Sequence, residues 1–546
     1  MALLTFFISF TVLLANGRAI GSGDTHAVER TAGALVERGT IVLPEDGALD
    51  PFTRPIPGGR VSIYPAVPAF LATPVFFIFG RFFDLNPAGL QVAGKLSAAF
   101  LAACAISLMA RSFSRRTSPS LALGSALLFG LGTSVYSTAQ ALWQHPAVLL
   151  FLVAGVSALE RVEAASGPDR LRPALLAAFA LSMAAASRPA VVPMCVVLFL
   201  FLLRRMSAHK GRLVAVACLP AAFVAFYNAT FFGAPWRFGP GLDGRFMDAF
   251  PGSIAGLLIS PARGLFVFTP IALLALWGLT RRARNEALAR GLLCAAGAHL
   301  LFMATWNEWH GGESFGPRLL TDLLPALFFF LPEALAAWPV LGAVLGIISV
   351  AVQLLGGWTY DYRWERLHQR GRDFDAALWS WRDSPIAFAV REGVIIQGVP
   401  ELSGRRVRLR LHRSVSFGPE GSTIEAAASG LRISGAGLLK DIRLERGARL
   451  SSGWMTLAHP GDALAFRTET EGPLSLRIVG SFGGGSLPGV LRIETSFRSA
   501  AVFDLTGDFD IPLTLQLAAD DEVFLRAARG ELRLARVSVV ARAVRP

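Results

Sequence analysis

Apolar positions in this chain gather in blocks of about twenty, and the blocks stop near residue 360. Twenty residues of helix cross a hydrocarbon layer of ~30 Å at 1.5 Å per residue. Suitable blocks run roughly over 2–17, 88–110, 119–138, 145–160, 172–187, 189–204, 212–232, 264–280, 290–306, 318–336 and 338–358, which predicts about eleven spanning helices. One further apolar stretch, Tyr64 to Gly80, carries Pro65, Pro68 and Pro74. Proline removes helical hydrogen bonds, which is costly inside lipid. This stretch is therefore read as lying at the interface or re-entering.

From about residue 395 the pattern shortens to period-two alternation. Arg406-Val407-Arg408-Leu409-Arg410-Leu411, Leu474-Ser475-Leu476-Arg477-Ile478-Val479 and Glu531-Leu532-Arg533-Leu534-Ala535-Arg536-Val537 all follow it. Such runs, broken by Gly and Pro, predict antiparallel strands of a sandwich. The expected organisation is an α-helical polytopic membrane domain over 1–358, a link over 359–394 and an all-β, sandwich-like domain over 395–546.

Composition agrees with the pattern. Hydrophobic residues make up 53% of the chain and charged residues only 17%, too apolar for a soluble surface. The net charge of +13 sits in short clusters between blocks: Arg111, Arg115 and Arg116; Arg204, Arg205, Lys210 and Arg212; Arg281, Arg282, Arg284 and Arg290. Clusters of this kind mark cytoplasmic loops and give no reason to expect a nucleic-acid partner. With Tyr64–Gly80 at the interface, every cluster is cytoplasmic. The 18–63, 232–263 and 307–317 loops and the Gln144-His145-Pro146 turn then lie outside, as does the C-terminal domain. Cys104, Cys195, Cys218 and Cys294 fall inside apolar blocks, so neither a disulfide framework nor a cysteine metal site is expected. The stretch from Ala2 to Ala15 lacks a basic leader region. It reads as an uncleaved first helix, short enough to leave a start upstream of Met1 open.

The outer loops carry the chemistry. In Ser22-Gly23-Asp24-Thr25-His26, Asp24 or Thr25 can cap a helix over 26–38, or Asp24 can take the proton from an acceptor hydroxyl. The run Trp306-Asn307-Glu308-Trp309-His310-Gly311-Gly312-Glu313-Ser314-Phe315-Gly316-Pro317-Arg318 holds two acids and a histidine. A divalent metal is one reading, although the spacing matches no strong metal motif. Arg318, Arg263 (in Ser260-Pro261-Ala262-Arg263-Gly264) and Arg188 stand at one depth. Each is a snorkelling anchor or a fork for phosphate oxygens. His145 reads as a packed histidine or a substrate contact, beside Trp143 of an aromatic belt.

Taken in order, these residues resemble the bacterial GT-C superfamily of polytopic glycosyltransferases, near the dolichyl-mannosyltransferase-like and lipopolysaccharide core sugar transferases. Ser22-Gly23-Asp24 is similar to the family's first outer loop, and Tyr64-Pro65-Ala66-Val67-Pro68 to its Tyr-Pro-Pro element. Tyr227-Asn228 through Phe232-Gly233-Ala234-Pro235, with Ser260 to Leu265, is similar to a paired motif. Trp306 to Arg318 is similar to a Gly-Gly-x-Ser-x-Gly-Pro-Arg loop. The resemblance covers roughly 1–390. Ala66 replaces the second proline of the family's element. No second acid adjoins Asp24, which leaves metal dependence open.

The resemblance implies a multi-pass protein of the bacterial inner membrane, with its site on the periplasmic face. It implies a polyprenyl-phosphate sugar donor and a glycan, lipid or protein acceptor, and no cofactor beyond that open question of a divalent metal. Asp24 would be the general base of an inverting transfer, with Arg318, Arg263 and Arg188 at the donor phosphate. Tyr64, His145, Trp306, Glu308, Trp309, His310 and Glu313 would contact sugar or acceptor. Two rivals stand beside it. A non-catalytic platform displaying the sandwich needs no particular acid at position 24. A transporter needs repeats and midplane charges, of which no clear sign is found.

Overall fold

The computed structural model describes residues 1–44, 52–239, 246–368, 374–392 and the strands between 421 and 541. The chain divides into two compact units, Met1–Arg408 and Leu409–Pro546, taken separately below.

The first unit is mostly helical. It opens with α1 (Ala2–Leu14), α2 (Gly23–Arg38), a hairpin of β1 (Thr53–Ile56) and β2 (Gly59–Ser62), and α3 (Val67–Phe82). There follow α4 (Pro87–Phe113), α5 (Pro119–Leu131), α6 (Ser134–Thr138), α7 (His145–Ala164), α8 (Leu171–Ser187), α9 (Val192–Arg205) and α10 (Lys210–Phe232). After the short α11 (Gly252–Ile259) and α12 (Leu265–Phe268) come α13 (Ile271–Ala283), α14 (Ala287–Ala304), α15 (Leu324–Leu327), α16 (Leu331–Ala337) and α17 (Pro339–Thr359). Proline opens several of these helices, including α4, α5 and α17, where its missing N–H costs nothing. In α4 the Asn86 side chain also accepts from Gly89 N–H at 2.9 Å, a cap of the usual kind.

Four helical stretches among the described residues are long and apolar enough to cross a membrane: Pro87–Phe113, Ser207–Phe232, Ala287–Ala304 and Pro339–Thr359. A fifth is reached if Arg318–Leu327 and Leu331–Ala337, bent by 73°, count as one broken span. Other expected spans form shorter helices, such as the 13 residues of α1 and of α5, about 20 Å at helical rise. Alanine-rich faces let the helices approach closely. Ala98, Ala99, Ala102 and Ala105 of α4 and Ala174, Ala177, Ala178 and Ala184 of α8 are all fully buried.

The two ends of this bundle differ. At one end the basic turns are tied to acids: Arg116 to Glu160 at 2.9 Å and to Glu333 at 2.5 Å, and Arg205 to Glu163 at 2.6 Å. Glu160 and Glu163 sit near the end of α7, whose first residue is His145; fifteen residues of helix separate His145 from Glu160 by about 22 Å. The His145 end holds the cavity described below. Val28 and Ala32 of α2 pack against Ala69, Ala72 and Phe76 of α3 and Ala93 of α4. The entry of α3, Tyr64–Val67, lines the cavity, and the exit of α3 leads into α4, where Lys95 bonds the Arg18 carbonyl at 2.5 Å and Gln140 at 3.1 Å. The other face of α3 leaves Phe70, Phe77, Ile78 and Phe82 exposed.

The segment expected as a link carries three short helices, α18 (Arg363–His368), α19 (Phe374–Leu378) and α20 (Pro385–Glu392). Trp364 and Leu378 are buried in the main core of the first unit.

The second unit is all β among its described residues, in two antiparallel sheets. One orders Arg498–Leu505, Gly489–Thr495, Glu522–Arg529, Ala463–Thr468 and Leu439–Glu445. The other centres on Leu532–Ala541, between Gly472–Phe482 and Gly421–Ala427. Fully buried apolar side chains come from both, Leu464, Leu491 and Leu525 from the first and Ile478 and Leu534 from the second, as in two-sheet cores. The alternating runs at 474–479 and 532–537 are strands, as expected. The run Arg406–Leu411 and Glu531 lie outside the described residues.

Candidate active site

A cavity of about 1520 Å³ opens at the His145 end of the bundle. Its polar wall is assembled from distant pieces of chain: Ser22 to Thr25, the Phe52–Pro55 edge, Tyr64 to Val67, Trp143 to His145, Arg188, and the loop running from Trp306 to Arg318. Apolar side chains from long helices complete the lining: Val192 of α9, Phe223 and Val224 of α10, Phe302 and Met303 of α14. The lining thus offers contacts both to a charged, hydroxylated group and to a hydrocarbon.

Asp24 and Arg318 meet at its polar side. Ser22 is the N-cap of α2, and Thr25 Oγ1 accepts from the Ser22 N–H at 3.1 Å. Asp24 therefore lies in the first helical turn rather than at the cap, and its carboxylate turns outward. It accepts from Ser22 Oγ and, at 2.9 Å, from Nη1 of Arg318. Gly23 matters sterically: a Cβ there would overlap the Phe52 ring.

Arg318 is delivered by a loop only glycine can shape. Gly311, Gly312 and Gly316 have φ of 76°, 64° and 86°, in the left-handed region that disfavours a Cβ. Phe315 packs where Gly356 has no side chain. The Arg318 guanidinium lies 4.2 Å from the Trp143 ring centroid, a cation–π contact. Its Nε is buried with no hydrogen-bond partner, so the fork has donor capacity beyond Asp24.

A second polar group faces the same cavity. Arg188, which ends α8, pairs with the fully buried Asp322. The other oxygen of Asp322 lies 2.8 Å from Nδ1 of His145.

The three arginines expected at a phosphate separate here. Arg318 and Arg188 line the cavity, whereas Arg263 does not. Arg263 is fully buried, pairs with Glu365 at 2.7 Å, lies 5.0 Å from the Trp364 ring and donates to the Gly312 carbonyl at 3.1 Å. Its place is under the glycine loop, as a brace. Burial raises the Glu365 carboxyl, and Arg263 works against that rise.

Of the other expected contacts, Tyr64, His145, Trp306, Glu308, His310 and Glu313 line the cavity. Trp309 is turned away, against Gly256 and the apolar core. Burial, then Arg263 and Arg318, push His310 down to about 4, so it is neutral at pH 7. Its Nδ1 accepts from Gly312 N–H at 3.2 Å. Among the described residues no group of three or more His, Cys, Asp or Glu could hold a metal ion.

Sequence reasoning passed over Arg54, Glu29 and Asp322. Arg54 lines the cavity with its guanidinium 5.8 Å from the Phe232 ring; only the fold brings it there. Glu29 is buried beside Gly94 with Oε1 unpartnered, and burial raises it to about 8. Asp322 had a signal in the sequence: it is an acid inside an apolar block, which in a membrane protein marks function by default.

No protein-family model matches the chain, and no curated protein matches it either. Among solved structures, the chain is similar to ArnT from Cupriavidus metallidurans bound to undecaprenyl phosphate, at 14% identity and a TM-score of 0.44, over 71% of this chain and 67% of that one. It is also similar to the apo oligosaccharyltransferase of Archaeoglobus fulgidus, at 12% identity and a TM-score of 0.40, over 70% of this chain and 60% of that one. A carbohydrate-binding module of Cellvibrio mixtus lichenase 5A, in complex with cellotriose, matches 22% of this chain over 97% of its own length, at 15% identity and a TM-score of 0.15. At these identities and TM-scores the likenesses carry nothing over about activity.

Proposed function

We propose that this protein transfers a sugar from a polyprenyl-phosphate donor to an acceptor hydroxyl, at the extracytoplasmic face of the bacterial inner membrane and with inversion. The observation that carries the reading is the pairing of Asp24 with Arg318 in a cavity lined by both charged and apolar side chains. A lipid-linked sugar has the same two parts.

In the proposed step the acceptor oxygen bonds to the anomeric carbon as the bond from that carbon to the phosphate oxygen breaks. The acceptor proton passes to the Asp24 carboxylate. The electron pair of the broken bond leaves with the lipid phosphate, where Arg318 and Arg188 stabilise the added charge. Arg318 touches both partners of the exchange, since one N–H holds Asp24 and the rest of its fork is left for phosphate oxygens. Trp306 stacks on a sugar face, and Glu308, neutral His310 and Glu313 orient hydroxyls.

Eleven spans with α3 at the interface belong to this proposal. Its support is that the entry of α3 lines the cavity and another face of it leaves Phe70, Phe77, Ile78 and Phe82 exposed, while the arginine-rich turns gather at the other end of the bundle. By the positive-inside rule that arginine end is cytoplasmic.

The test is analysis of lipid-linked sugars and envelope glycans in a deletion strain carrying wild type or Asp24→Asn. Asn keeps the size and an acceptor for Arg318 but cannot take the proton. The expected result is loss of one sugar-bearing product, restored by wild type and not by a variant that still reaches the membrane. Full restoration by Asp24→Asn removes the base, and no glycan change on deletion removes the transferase.

A further inference from the structure

Asp322 never reaches the cavity itself, yet both residues it holds do. Its two oxygens are spoken for: Oδ1 lies 2.8 Å from Nδ1 of His145, and Oδ2 takes Nη1 of Arg188. Asp322 is fully buried, while His145 and Arg188 line the cavity wall. One carboxylate thus ties the first residue of α7 to the residue that closes α8. The other titratable neighbours are His299, whose Nε2 lies 3.0 Å from the Leu319 carbonyl, and Cys195.

Chemistry fixes what each partner offers. A carboxylate beside Nδ1 accepts a hydrogen bond from Nδ1–H, which keeps the proton there and leaves Nε2 of a neutral ring as the acceptor. Arg188 spends one N–H on Asp322 and keeps the rest of a rigid fork. The cavity lining therefore includes an imidazole whose Nε2 can accept, 2% exposed, and a guanidinium that can donate, both held by the same buried anion. A sugar phosphate needs that combination, because its hydroxyls donate and its phosphate oxygens accept.

We infer that Asp322 is a positioning residue, fixing His145 with Nε2 toward a sugar hydroxyl and Arg188 toward the adjoining phosphate, so that the two read a sugar-phosphate headgroup as one unit. The ligand assignment rests on the transferase reading above; the positioning geometry does not. Buried ion pairs with every oxygen used contribute little net stability but hold geometry. The acid's location inside an apolar segment fits that role.

Two variants separate this from simple packing. Asp322→Asn keeps the volume but offers one acceptor and one donor, so it cannot receive both partners. His145→Gln keeps a polar group near Nε2 and gives up Asp322. With the full chain purified in detergent and labelled with ¹⁵N-histidine, nitrogen NMR at pH 7 should show a histidine protonated at Nδ1 and bare at Nε2. His145→Gln should remove that signal, which assigns it, and Asp322→Asn should move the proton to Nε2. Binding of farnesyl phosphate, a probe with no sugar, should weaken about ten-fold in Asp322→Asn, the factor of one charge-assisted contact. It should stay within about two-fold in His145→Gln, since the lost contact is to a sugar.

An unchanged tautomer in Asp322→Asn, or wild-type affinity for the probe in that variant, overturns the inference. If Asp322→Asn does not fold, the wild-type signal decides: protonated Nδ1 supports the positioning and protonated Nε2 overturns it. A wild type that ignores farnesyl phosphate refutes the donor reading instead, and the tautomer alone then decides the role of Asp322.

Discussion

Both ends of the helical bundle are built from arginines and carboxylates, yet the pairs differ in kind. At the basic end Arg205 meets Glu163 and Arg282 meets Glu286, with the arginines 43% and 44% exposed. Water screens such pairs, and each contributes about 0–1 kcal/mol. At the cavity end Arg318 with Asp24 and Arg188 with Asp322 are more buried than these two pairs, although Arg116 with Glu160 at the basic end is buried to a degree similar to Arg318 with Asp24, and partly buried charges interact more strongly. Among the described residues, buried polar atoms without a hydrogen-bond partner occur at both ends, Arg318 Nε at one and Glu333 Oε2 at the other. Identical residue types thus close one end of the bundle and arm the other. The cavity is what separates them, since Asp24, Arg188 and Arg318 line it and the arginines of the basic end do not.

That contrast can be broken in several places. The largest effect is expected at Asp24. Asp24→Asn should lower transfer by about 10²- to 10⁴-fold, the range for a lost general base, without loss of folded protein in thermal melts. Next comes Arg263→Ala, which strands Glu365 without its cation in a buried site. A broken buried pair costs about 3–5 kcal/mol, so this variant should unfold at clearly lower temperature, and its activity should fall because the glycine loop loses its brace.

Glu29 gives a smaller effect, dependent on pH. Its carboxyl is raised from an ordinary 4.5 to about 8. The folded state therefore binds the proton more tightly, so stability is highest below 4.5 and falls as pH rises toward 8. Glu29→Gln should flatten that fall, with melting temperatures above wild type at pH 8 and near it at pH 5. The smallest effect belongs to Arg205→Ala, expected to shift stability by no more than about 1 kcal/mol and to leave transfer unchanged.

Much of this architecture could be read before any coordinates. The loops at 18–63, 232–263 and 307–317 and the turn at 144–146, expected on one side from block length and loop charge, all contribute residues to the cavity lining. The Gly-Gly-x-Ser-x-Gly-Pro-Arg loop was legible because its glycines sit where the backbone needs positive φ. Arg263 was not. Its partner Glu365 lies in a segment whose irregular pattern permitted no assignment, and depth alone could not tell a braced arginine from a free one. Trp309 faced away for a similar reason, since its companion is the missing side chain of Gly256. Asp322 was overlooked because hydropathy averages hide a single acid among leucines, although an acid so placed needs a partner.

The comparison of the two ends reduces to one measurement: transfer by Arg318→Lys and Arg205→Lys, side by side, in membranes holding equal amounts of each. Lysine keeps the charge at both sites but loses the fork. If the cavity end does the chemistry, Arg318→Lys falls at least about ten-fold while Arg205→Lys matches wild type. Equal activity of the two variants would contradict the account.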